Sequence, residues 1–162
     1  MKKTIYGIVG FIALLLASSA YTQRKTAPAV GYFAPELSVG TTEAISVSAH
    51  RGEYLLLTFW DSTRADSRLA VNQYQQWYDS TKESESRKIA FMAVNLDTNK
   101  RMFEEIVKRD CLDRTCQFHP GADQHSAIIE RFRLESQSKS FLVAPDGRII
   151  AVNPTIDELK QI

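Results

Sequence analysis

The chain alternates short apolar runs with polar segments, and the spacing of the apolar positions changes from run to run. Residues 54–60 read YLLLTFW, apolar almost throughout and too short for a helix, which is the pattern of a strand covered on both faces. Residues 88–96, KIAFMAVNL, form a second run of the same kind. Between them, after the polar group DSTRADS at 61–67, Ala70, Tyr74, Trp77 and Tyr78 recur at three- and four-residue spacing and predict a helix. Thr81 to Arg87 then reads as a charged loop.

From Asn99 to Asp110, Met102, Phe103, Ile106 and Val107 make one apolar helix face. A short strand around Cys116 to His119 and a helix carrying Ile128, Ile129 and Phe132 follow. Two strands, Ser140 to Ala144 and Arg148 to Asn153, are joined by Pro145, Asp146 and Gly147, a hairpin signal because glycine tolerates the positive φ such turns need. Thr155 with Glu158 three residues on has the form of a capping box and predicts a short terminal helix from Ile156. On the other side of the central run, Pro35 to His50 holds short β-type pieces that include Ile45 and Val47. Strands alternating with helices and ending in a hairpin predict an α/β domain, a mixed sheet flanked by helices.

The first twenty residues stand apart from this pattern. Lys2 and Lys3 precede an apolar run from Ile5 to Ala17 that ends in Ser18, Ser19 and Ala20, the form of a secretory signal. The run is short for a hydrocarbon core of about 30 Å, so cleavage near Ala20 is expected over an uncleaved anchor. Residues 21–33 are polar and proline-containing and read as a linker to a domain spanning 34–162. Without residues 1–20 the chain loses two lysines and no acids, and its net charge falls from +1 to −1. No block of Lys or Arg marks a nucleic-acid surface, and about 140 residues can bury close to 70% of their unfolded surface without staples.

The order of these pieces resembles the thioredoxin-like superfamily, in particular its exported TlpA/ResA and redoxin type of bacterial envelopes. The resemblance runs from about Ala34 to Ile150. It rests on Ala34 and Pro35, the turn at Arg51 to Glu53, the strand Leu55 to Trp60, Ala93 to Asp97, and the hairpin Ser140 to Ile149. It implies a thioredoxin-like fold with a central mixed sheet. Members carry W-C-x-x-C just after the FW strand, where a helix N-terminus lowers the pKa of the first sulfur. Alignment on Phe59 and Trp60 puts Arg64 at that nucleophile position and Ser67 at the resolving one, and neither can form a disulfide. The family's cis-proline position falls on Ser138, in the proline-free stretch Glu135 to Ser140, where a trans loop is expected because a cis bond would cost about 3 kcal/mol. The resemblance therefore implies a degenerate member without the dithiol site, and the peroxiredoxin reading fails for want of a cysteine in the same region.

The only cysteines, Cys111 and Cys116, are spaced C-x4-C. In an oxidising envelope a structural disulfide is the expected state, stabilising by only about 2 kcal/mol for so short a loop. A redox-active pair is the alternative, since short loops hold more reducible bonds. His119 and His125 extend the segment to C-x4-C-x2-H-x5-H, which has the ligand types of a zinc site but not a usual spacing, so the histidines, like His50, read first as solvated loop residues. Arg64, Asp66 and Arg68 near a helix start could meet an anion. The mixed signs favour Asp66 in a first helical turn capped by Ser62 or Thr63. Tyr74, Trp77 and Tyr78 read as packing, and Ser67 has no identifiable His and Asp partners for hydrolase chemistry.

These readings lead to an exported, non-catalytic binding or accessory module with an unidentified protein partner in the periplasm or envelope. No cofactor and no nucleic acid are expected, and membrane contact only through an uncleaved export segment. The alternatives are an atypical thiol-disulfide oxidoreductase using Cys111 and Cys116, and a small Cys/His metal-binding protein.

Overall fold

The YLLLTFW run is the centre of the molecule. In the computed structural model, which describes residues 27–39, 45–82, 88–134 and 138–162, it forms a strand over Tyr54–Trp60 with side chains buried on both faces. In chain order the elements are β1 (Ser38–Val39), β2 (Ile45–Ser46), a 3-10 turn at Val47–His50, β3 (Tyr54–Trp60) and α1 (Ala65–Thr81). Next come β4 (Ile89–Asn95), α2 (Lys100–Arg109), a 3-10 turn at Arg114–Cys116 and β5 (Gln117–Phe118). The chain ends with α3 (Ala122–Phe132), β6 (Lys139–Val143), β7 (Ile149–Val152) and α4 (Ile156–Leu159).

The main sheet has the order β5-β4-β3-β6-β7. β3 runs parallel to β4, with Tyr54 opposite Ile89 and Trp60 opposite Asn95, and antiparallel to β6, with Leu57 opposite Phe141. The period-two alternation of a strand divides its residues between two cores. Leu55, Leu57 and Phe59 pack with Met92, Val94, Phe141, Ile128 and Phe132, so α3 and the N-terminal segment at Leu37 and Val39 cover that face. Leu56 and Trp60 pack with Val71, Tyr74, Trp77, Phe103, Ile106 and Leu159, so α1, α2 and α4 cover the other.

The helix ends follow local chemistry. Asn99 caps α2, its Oδ1 accepting from the amides of Arg101 and Met102, and the Thr155–Glu158 capping box on α4 forms in both directions. The hairpin turn closes through Gly147 N to Ala144 O at 2.7 Å, with Gly147 at φ +86°. Three details differ from the sequence reading. Val47 opens a 3-10 turn instead of continuing a strand, because Ser46 Oγ accepts from Ala49 N and draws the backbone round. The hairpin strands lie at 139–143 and 149–152, not 140–144 and 148–153. The linker expected over 21–33 already touches the domain at its last residues. Gly31 N donates to Ile149 O, Ile149 N donates to Tyr32 O, and the Phe33 ring lies beneath Arg148 at 4.3 Å. The export segment and the charged loop at 83–87 lie outside the described residues. Among the described residues no helix is long and apolar enough to cross a membrane.

Leu57 has no exposed surface and contacts both neighbouring strands. Leu57→Ala is expected to lower unfolding stability by about 2–5 kcal/mol, measured by urea denaturation, because a central strand cannot collapse into the cavity.

Candidate functional site

β3 ends at Trp60 and the chain passes through a four-residue loop into α1, at the C-terminal ends of the parallel strands where open α/β sheets hold their ligands. Asp61 shapes the loop. Its Oδ1 accepts from Thr63 N at 2.7 Å and from Thr63 Oγ1 at 2.5 Å, a local turn typical of aspartate. Arg64 occupies the N-cap of α1 without a side-chain capping bond, so the expected cap at Ser62 or Thr63 is not formed. Ser62 is drawn away because it is buried among other partners: its amide donates to Asp97 Oδ1 and its hydroxyl accepts from Asn95 Nδ2. Asp66 does lie in the first turn. Arg64 grips it through Nε at 3.2 Å and a second guanidinium nitrogen at 2.7 Å. These hydrogen bonds push the arginine pKa up and hold the Asp66 carboxyl below its ordinary value. The pair is solvent-exposed and adds little to stability.

Ser67, in the first turn of α1, is 1% exposed. Its oxygen accepts from the amide of Asp61 at 2.8 Å and from the hydroxyl of Ser138 at 2.5 Å. The structure thus brings together Arg64, Ser67 and Ser138. Arg64 and Ser138 both line two adjoining clefts. The first, about 230 Å³, adds Asp61, Leu96, His125, Ile129 and Leu134. The second, about 360 Å³, adds Asp66, Ser67, Ala70, Tyr74, Ser140 and Asn153. No cis peptide bond occurs among the described residues, while the bond leading into Ser138 starts at residue 137, outside them. Arg68 is remote from an anion role, since it makes a two-point ion pair with Asp110 at 2.6 and 2.8 Å that ties α1 to the end of α2.

The cysteines lie elsewhere, and the expected disulfide is not present: both thiols are free. Cys111 is exposed, at φ +54°, in a cleft with Val107, Lys108, Leu112 and Arg114 beside α2. Cys116 is buried in the core that contains Trp77 and Leu112. Burial pushes its thiol pKa up despite a contact from Thr115. Between them Leu112 N bonds Val107 O, and Asp113 caps the 3-10 turn that ends at the buried Cys116. The four candidate zinc ligands do not converge. Among the described residues no group of three or more His, Cys, Asp or Glu could hold a metal ion. His119 Nε2 is bound to Asp97 O and His125 Nε2 to Leu96 O, so the two histidines fasten the chain just after β4. His50 pairs with Glu53 at 2.7 Å. Tyr74 and Trp77 are buried packing residues, and the Tyr74 hydroxyl donates to Pro154 O.

Sequence reasoning passed over Asn95, Asp97 and the apolar lining from Leu96, Ile129 and Leu134. The signal for the first two was present in the polar residues that interrupt the buried run at VNLD.

A thioredoxin-like family model matches residues 52–149. The chain belongs to the thioredoxin-like family. It is similar to a thioredoxin-like protein from Parabacteroides distasonis at 29% identity, with a TM-score of 0.70, covering 83% of this chain and 94% of that one. A thiol-disulfide oxidoreductase from Bacteroides fragilis shares the fold at 24% identity and TM-score 0.66, covering 80% and 96%. The thioredoxin domain of a thiol-disulfide oxidoreductase from Bacteroides vulgatus does so at 19% and 0.71, covering 83% and 95%. No curated protein matches. The family's fold is therefore present, with a strand end that carries arginine and serines and no cysteine.

Two outcomes are expected. In native protein one thiol, Cys111, reacts rapidly with a chromogenic disulfide reagent at neutral pH, and Cys116 reacts only on unfolding, which a titration with and without denaturant checks. Ser67→Ala leaves the Asp61 amide and the Ser138 hydroxyl without their shared acceptor and lowers stability by about 1–3 kcal/mol in denaturant melts, more than Ser138→Ala.

Proposed function

We propose that this chain is an exported thioredoxin-fold protein that binds a partner protein of the cell envelope at the end of its central strand, without dithiol exchange. The observation that carries this reading is the Ser67 hydroxyl, fixed by Asp61 and Ser138 where the resemblance places the resolving sulfur. Thiol-disulfide exchange needs a thiolate attacking a disulfide sulfur, and no side chain in either cleft can supply one. What the clefts offer is a mixed apolar and polar surface held rigid by strand and helix ends. Export is supported by Lys2, Lys3 and the apolar run that follows them.

A second reading, an oxidoreductase using Cys111 and Cys116, is favoured by the exposure of Cys111 alone. It is weakened by the burial of Cys116.

The protein is expected to show no reduction of insulin disulfides. Turnover comparable to that of a CxxC-containing thiol-disulfide oxidoreductase overturns the reading, and its loss in Cys111→Ser would move the chemistry to the second reading. Installing cysteines by Arg64→Cys and Ser67→Cys together should create at most weak activity, because Ser138 does not supply a proline opposite them. Intact-mass analysis of protein recovered from the envelope is expected to show cleavage after Ala20, and a retained Lys2 would instead indicate an anchor.

A further inference from the structure

The two clefts at the strand end differ in character, and the difference specifies what kind of partner segment fits. The smaller takes its apolar lining from Leu96, Ile129 and Leu134. At about 230 Å³ it falls below the roughly 300–1,000 Å³ of clefts that enclose whole small-molecule ligands, and suits one large side chain. The larger cleft, which shares Arg64 and Ser138 with the smaller, is mostly polar, lined also by Asp66, Ser67, Tyr74, Ser140 and Asn153, a character that suits the backbone of an extended chain. An apolar socket opening onto a polar trough is the arrangement expected for a polypeptide with one anchoring side chain.

Charge narrows the choice further. The cation at the lip, Arg64, is held in a two-point pair with Asp66, so its charge is matched within the molecule. His125 has its Nε2 committed to Leu96 O. Asp61 differs: its Oδ1 takes both Thr63 donors, and its Oδ2 accepts no hydrogen bond among the described residues. Asp61 also acts on Arg64 through space, so among these three groups one arginine faces two carboxylates, and they carry a net negative charge beside the apolar socket.

We propose that the smaller cleft receives an aliphatic or aromatic side chain of the partner polypeptide, and that Asp61 pairs with a lysine or arginine next to it in the partner's sequence. This rests on the binding reading above and adds the class of segment recognised. Like-charged segments are disfavoured at the same place, so Asp61 acts as the selecting residue.

The test is a titration of the 15N-labelled full chain with two synthetic probes, Ac-Gly-Leu-Lys-Gly-NH2 and Ac-Gly-Leu-Glu-Gly-NH2, followed by amide shifts at low ionic strength. The Leu-Lys probe is expected to shift Arg64, His125, Ile129 and Ser138 saturably and at least fivefold more tightly than the Leu-Glu probe. Asp61→Asn keeps an oxygen for the Thr63 donors and should remove that preference, and Ile129→Ala should weaken both probes. Equal affinity for the two probes, shifts confined to Ala70, Tyr74 and Asn153, or no shift with either probe overturns the proposal. Each of these outcomes is distinct from failure of the binding reading itself, which would show as insulin reduction by the unmodified chain.

Discussion

Burial of one strand on both faces is the constraint on which the rest of the molecule depends. β3 has Leu55, Leu57 and Phe59 in one core and Leu56 and Trp60 in the other, so its pairing with β4 and β6 cannot slip by a single residue without exchanging the two sets. Each large side chain contributes about 1.5–3 kcal/mol when buried, and both neighbours are tied to the same register. The end of β3 is thereby fixed in space, and with it the four-residue loop that leads to Arg64 and the start of α1. A site built at that point inherits its rigidity from the core beneath it.

Polar groups finish what the core begins. At one side of the loop, Asp97 and Asn95 hold Ser62. At the other, Ser67 gathers the amide of Asp61 and the hydroxyl of Ser138. The two sets join strand ends far apart in sequence and satisfy most of the polar atoms they bury, while Asp97 Oδ2 is buried without a hydrogen-bond partner. The same fold is found in proteins named thiol-disulfide oxidoreductases. Here the end of β3 is held by the hydroxyls of Ser67 and Ser138, which hydrogen-bond each other and the Asp61 amide.

Much of the fold was legible in the sequence because its signals are local. The run Tyr54–Trp60 matched the observed strand at both ends, the Thr155–Glu158 box formed as spelled, and of the expected α2 face Phe103, Ile106 and Val107 are buried while Met102 is exposed. The misread helix cap has a tertiary cause, and the misread strand at Val47 a local one, the Ser46 Oγ that draws the backbone into a 3-10 turn. Ser62 has the chemistry of a helix cap, yet Asp97 and Asn95, more than thirty residues away, claim it first. Near the cysteines the chain follows local chemistry, and the 3-10 turn capped by Asp113 ends at Cys116, which is buried, while Cys111 is exposed. The meeting of Ser67 with Ser138 across seventy-one positions leaves no mark in either local pattern.

The central claim is recognition without sulfur at the end of β3, and one measurement addresses it directly. A photo-crosslinking amino acid placed at Thr63, exposed beside the clefts, should trap a defined partner in the envelope, and the same adduct should form with undiminished yield when both cysteines are replaced by serine. An adduct that disappears in the cysteine-free protein, or a partner held only by a bond that reductant releases, would contradict the account.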